Sequence, residues 1–172
     1  MNKKTTIKNS GFTLIELMIV VGILGVLATV ALVAYRRYVD RAHAAEATSV
    51  LSDIRIKQEA YRATFRQYAT DGTWRPDDKP GNIGRLWSRN DNWDQLGVRP
   101  DNDLFYSYYI LAGIPSDAAD LGIFAGTGIN TSSDFWFAAR AAEDLNSDGT
   151  CGGFEIYHGK ASIVELDTVA CP

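Results

Sequence analysis

The sequence predicts an α+β protein. A long N-terminal helix, membrane-spanning in its first half and amphipathic in its second, packs on an antiparallel sheet of about four strands. Three observations predict it. Residues 12–35 form an apolar run in which Glu16 is the only charge. Residues 36–70 continue at helical spacing with a single apolar stripe. Four short segments rich in aromatic or β-branched residues then follow, separated by turn residues.

The apolar stretch from Phe12 to Tyr35 would form a helix of about 36 Å at ~1.5 Å per residue, enough to cross a bilayer core of about 30 Å. It exceeds an ordinary signal-peptide apolar region, and it lacks clean A-x-A cleavage geometry. Past Arg36 and Arg37 the residues Leu51, Ile54, Gln58, Tyr61, Phe65 and Tyr68 recur every three or four positions. Alanines 42, 44, 45, 47 and 60 are strong helix formers, so one helix is predicted from about Phe12 to Tyr68. It stops near "TDGTW", where Asp71-Gly72 signals a turn.

The segment 71–103 is rich in Pro, Gly, Asp and Asn and reads as a long connection with little regular structure. Trp74, Trp87 and Trp93 either anchor it to the core or form an exposed adhesive patch. Strands are expected in "LFYSYYILAG" (104–113), "DFWFAARA" (134–141), "GFEIYHG" (153–159) and "ASIVELD" (161–167), the last two joined by a short hairpin. "PSDAADLG" reads as a short helix or loop, and "AGTGINTSS" as a flexible linker. One face of the sheet is expected under the helix from Ala42 to Tyr68, the other in solvent. The organisation is thus a leader (1–11), a membrane helix (12–35), an amphipathic continuation (36–70) and a globular head (71–172), the head divided into the loop 71–103 and the sheet region 104–172.

The 172 residues carry a formal charge of −4. Lys3, Lys4 and Lys8 precede the apolar run, while Arg36, Arg37 and Arg41 follow it. With acids spread over the remainder there is no broad basic surface for nucleic acid. The three arginines are placed to meet lipid phosphates or acids on a neighbouring chain. Loop charge does not fix orientation, because the two basic groups balance.

Glu16 demands an explanation, since a carboxylate near the centre of a bilayer costs on the order of 2.5–3.5 kcal/mol and normally has a partner. No lysine or arginine lies between residues 9 and 35. A cut just before Phe12 would free an α-amine four residues away on the same helical face, the only partner Glu16 can have locally. Between chains, the same pairing would set the axial register of packed helices.

A short basic leader ending in Gly11, followed by "FTLIELMIVVGILGVLA", resembles the type IV prepilin signal. The resemblance covers about the first 60 residues; beyond them it is to general pilin architecture. It implies cleavage by a prepilin peptidase between Gly11 and Phe12, N-methylation of Phe12, and use of Glu16 in assembling a helical homo-oligomeric filament through inner-membrane machinery. The precursor would be a single-pass inner-membrane protein with its head outside the cytoplasm, and the assembled form a cell-surface pilus. Many pilins have a proline where this chain has Val33, so no proline kink is expected. Gly22 and Gly25 suit either local unwinding or close helix packing.

Cys151 and Cys171 read as one disulfide if this end lies outside the cytoplasm. It would close a loop of about twenty residues, and many pilins carry such a C-terminal bridge.

"DLNSDGTCGGFE" (144–155) matches D-x-[DN]-x-[DN]-G-x5-E: Asp144, Asn146, Asp148, the Thr150 carbonyl and Glu155 would supply oxygens to calcium, with Gly149 at the sharp turn. The same residues also make an ordinary turn, and no helix pair flanks them. No cofactor is otherwise required.

No nucleophile–base constellation or phosphate-binding Gly loop is apparent, and His43 and His158 are isolated, so an enzyme is not expected. The reading is a structural subunit of a type IV pilus or related filament. A minor pilin or type II secretion pseudopilin is the nearest alternative. A membrane-anchored binding domain is the alternative of a different class, and it predicts no cut after Gly11.

Overall fold

The computed structural model describes residues 12–76, 80–88, 90–115, 121–125, 127–144, 147–169 and 171–172. The leader, including Gly11, lies outside them. The chain divides into two units, Met1–Arg41 and Ala42–Pro172.

In the first unit the chain enters helix α1 (Leu14–Phe65) at Leu14 and stays helical through Arg41. Its large apolar side chains are exposed, and Leu17, Ile19, Leu24, Leu27 and Leu32 are each more than half exposed. This part of the helix therefore has no core of its own. Its leucines, isoleucines and valines are suited to lipid or to other helices.

In the second unit α1 continues to Phe65 and buries Ala47, Leu51, Ile54 and Gln58, the 3–4 spacing expected of one face. It ends where Arg66 turns left-handed (φ 61°), with the Arg66 N–H bonded to the Arg62 carbonyl at 2.8 Å. The Gln58 amide, fully buried, closes the connection by bonding both ways with the backbone of Ala69, at 2.7 and 2.9 Å.

The sheet is antiparallel throughout, in the order β1 (Ser107–Gly113), β2 (Trp136–Glu143), β3 (Cys151–Tyr157), β4 (Val164–Val169). All four strands fall within or beside the expected segments. A register shift lies between Cys151 and Gly153. Gly153 is required there: a Cβ would sit 2.1 Å from the Ala141 carbonyl oxygen. The core under the helix gathers Leu51, Ile54, Tyr108, Ile110, Phe137, Ala139 and Ile156. Truncating Leu51 or Ile54 there costs about 2–5 kcal/mol.

The loop between α1 and β1 holds α2 (Asp91–Leu96), capped by Asn90, whose carboxamide oxygen accepts from the Asn92 and Trp93 N–H groups. Trp93 is fully buried, with Trp87 set edge-on at 5.0 Å and Trp74 against Tyr109 at 5.2 Å. The tryptophans are anchors.

The far face of the sheet departs from expectation. It is not left to solvent along β1 and β2: Phe124 and Ile129 pack on Trp136 and Ala138, with Tyr109, Leu111 and Tyr157 around them. Part of the segment read as a linker therefore forms a third layer, with a 3-10 turn at Gly122–Phe124. Most of "PSDAADLG" lies outside the described residues.

Candidate functional site

Two places carry the expected functional residues. The first is the start of α1. Thr13 is its N-cap, and the pattern T-x-x-E makes Glu16 the third helical residue. The Glu16 N–H donates to Thr13 Oγ1 at 3.3 Å. In return the Thr13 N–H and hydroxyl donate to Glu16 Oε2 at 2.8 and 2.7 Å. This is a capping box. It satisfies two groups that a helix N-terminus leaves open, and it places the carboxylate at the positive end of the helix dipole.

The α-amine is therefore not the only local partner Glu16 can have: Thr13 already holds its carboxylate by hydrogen bonds. What Thr13 does not supply is positive charge. Among the described residues from Phe12 to Tyr35 there is no cation. Phe12 itself is 79 % exposed, ahead of the helix.

The second place is the turn into β3. Asp144 accepts from the backbone N–H groups of Asp148 (3.1 Å) and Gly149 (3.0 Å), and Asp148 accepts from that of Thr150 (2.7 Å). Ser147 and Gly149 take positive φ. The loop is thus braced by its own side chains. Asn146 lies outside the described residues.

Glu155 is occupied differently. It sits in β3 directly across from Arg140 of β2, whose Nε and Nη2 donate to Glu155 Oε2 at 3.0 and 2.5 Å. Both are buried, and the Arg140 guanidinium lies over the Phe124 ring at 4.9 Å. Burial pushes the Glu155 carboxyl up, against the pull of Arg140. Among the described residues no group of three or more His, Cys, Asp or Glu side chains is poised around a common point. Cys151 and Cys171 are joined, tying β3 to the C-terminus.

Both histidines pack against aromatic side chains. His43 stacks on Phe105 at 4.0 Å, and His158 Nδ1 lies 2.9 Å from the Tyr68 hydroxyl. Two acids with structural work were not singled out by sequence. Glu46 accepts from the Phe105 and Tyr106 N–H groups and from the Tyr108 hydroxyl, fastening α1 to the start of β1. Asp71 accepts from Thr73, Asn90, Asn92 and the Trp93 indole. Burial opposes the charge on Asp71, but these bonds prevail and hold its carboxyl below the usual range.

The model of the prokaryotic N-terminal methylation motif matches residues 7–32, which span Gly11, Phe12, Thr13 and Glu16. The chain carries a type IV prepilin signal. No curated protein and no solved structure matches the chain. The matched motif opens a helix long and apolar enough to cross a membrane, and a four-stranded antiparallel sheet follows it in the chain.

Proposed function

We propose that this prepilin is the structural subunit of a type IV pilus or a related filament. A prepilin peptidase cuts between Gly11 and Phe12 and methylates the new Phe12 amine. The subunit then leaves the inner membrane, its head outside the cytoplasm, and its helices pack into a filament core. The observation that carries this reading is Glu16, the single acid in an apolar helix within the matched motif.

Cleavage adds to the Thr13 cap a cation at the same depth. Within one chain that amine lies one helical turn from Glu16. Between chains it lets one subunit's Glu16 engage a neighbour's Phe12. Helix packing supplies most of the driving force, because lipid contacts are exchanged for helix contacts; the charge pair supplies register.

Glu16→Ala tests this in the assembling cell. The expected variant is folded, membrane-inserted and cleaved, yet depleted from filaments. Filaments equal in amount and order to the parent's would refute the register role. Abundance in sheared surface fibres separates a major subunit from a minor pilin or pseudopilin.

A further inference from the structure

Of the asparagines in the chain, only Asn130 has a hydroxyl residue two positions on, in Asn130-Thr131-Ser132, and no proline intervenes. Asn-x-Ser is the pattern at which sugar is joined to asparagine in exported proteins, on surface loops. The head meets that condition. Asn130 and Ser132 are both exposed. On one side of them Ile129 is buried in the layer over β2, and on the other Asp134 is held by Arg62 at 2.6 Å. The tripeptide is thus presented to solvent between two fixed ends.

Its internal geometry bears on the chemistry. The Ser132 hydroxyl donates to Asn130 Oδ1 at 2.8 Å, and the Ser132 N–H donates to the same oxygen at 3.1 Å. An Asx turn needs only the second of these bonds. The turn leaves Asn130 Nδ2 without a hydrogen bond among the described residues. Asn90 and Asn92, by contrast, commit their carboxamide nitrogens to Asp71.

An amide nitrogen is a poor nucleophile because the carbonyl shares its lone pair. When Nδ2 gives up a proton, negative charge moves onto Oδ1, where two donors already point. Ser132 therefore favours the form of Asn130 that can attack.

We infer that Asn130 is an N-glycosylation site, taking an oligosaccharide from a lipid-diphosphate donor outside the cytoplasm. Nδ2 bonds to the anomeric carbon of the sugar, and the bond from that carbon to the diphosphate oxygen breaks. The lipid diphosphate leaves with the electron pair, and one Nδ2 proton passes to a base of the transferase. Nothing is oxidised or reduced. Asn130 adjoins the layer on the sheet face away from α1, so a bulky sugar there leaves the helix free to pack. The inference rests on the reading above that the head lies outside the cytoplasm.

Peptide masses of the full-length protein, isolated from the cells that make it, test this. The peptide holding Asn130 should exceed its sequence mass by that of a sugar chain. Asn130→Gln and Ser132→Ala should each abolish the excess, whereas Ser132→Thr and Ser133→Ala should keep it. All three side chains are exposed, so the variants should fold, and the parent mass needs no variant at all. A parent peptide of unmodified mass would overturn the inference. So would an excess that survives Asn130→Gln, which places the sugar on a hydroxyl, or one that survives Ser132→Ala. The same spectra read the two ends of the chain. A mature protein with Cys151 and Cys171 joined and Asn130 bare strikes the sugar alone; free thiols strike the orientation.

Discussion

Thr13 and Glu16 hold each other across the first turn of α1, the hydroxyl and N–H of one bonded to the carboxylate of the other and the N–H of Glu16 bonded back. This explains how a lone acid is kept at the mouth of an apolar helix. Its lone pairs are partly satisfied, and the helix dipole favours its sign.

Thr13→Val keeps the shape and removes the hydroxyl. We expect about 1 kcal/mol of lost capping, read as roughly fivefold faster amide exchange over the first helical turn in detergent micelles. Thr13→Ser should exchange like the parent. Equal exchange in all three proteins would show that the cap does not operate.

Arg140 and Glu155 form a buried pair under Phe124. Glu155→Ala leaves a guanidinium without its counter-charge in the core, at a cost of about 3–5 kcal/mol. The change should appear as a large fall in melting temperature. Replacing both partners with apolar residues should recover most of it. Because Glu155 is committed to Arg140, and Asp144 and Asp148 to their own loop, melting in calcium and in chelator should agree within about 1–2 °C. A rise of many degrees with calcium would mean that the turn reorganises around the ion.

Asp71 gathers Thr73, Asn90, Asn92 and Trp93, and its carboxyl titrates below the ordinary value of 3.8. The sign follows from linkage: a carboxyl depressed in the folded state contributes stability above its unfolded value and loses it as pH falls through its folded one. Asp71→Ala should therefore destabilise the head by about 1–3 kcal/mol at pH 7, and the gap to the parent should narrow as the pH falls below about 4. Urea unfolding at pH 7 and pH 3 measures both. A gap that widens in acid would contradict this role.

Arg66 closes α1 at φ 61°, a conformation glycine adopts without penalty. Arg66→Gly should stabilise the head by about 0.5–1 kcal/mol in urea unfolding. A destabilised variant would mean that the arginine's contacts outweigh its backbone strain.

The fold was legible where local pattern and tertiary demand agree. Leu51, Ile54 and Gln58 recur at helical spacing because they share one buried face, and the four strands are dense in aromatic or β-branched residues or alanine, bounded by turns. Legibility failed where a few residues decide the structure from within a polar stretch. Ile123, Phe124 and Ile129 sit among Gly, Thr and Asn, so the layer they form over β1 and β2 carried no periodic signal. Glu155 fitted the last position of a calcium loop by spacing. Its actual partner, Arg140, lies fifteen residues earlier and meets it only through the β2–β3 register. Thr13 was readable, since T-x-x-E before an apolar run is a capping box, but a lone acid in an apolar run points first to a counter-charge and not to an uncharged partner. Asp71 had nothing beyond a turn signal to mark it, because three of its four donors come from nineteen to twenty-two residues away.

The mass of the N-terminal peptide of the mature protein decides whether the leader is removed. A chain that begins at Phe12 with a methylated amine is expected, and none that retains the leader. A mature protein still carrying Lys3, Lys4 and Lys8 ahead of Gly11 would contradict it.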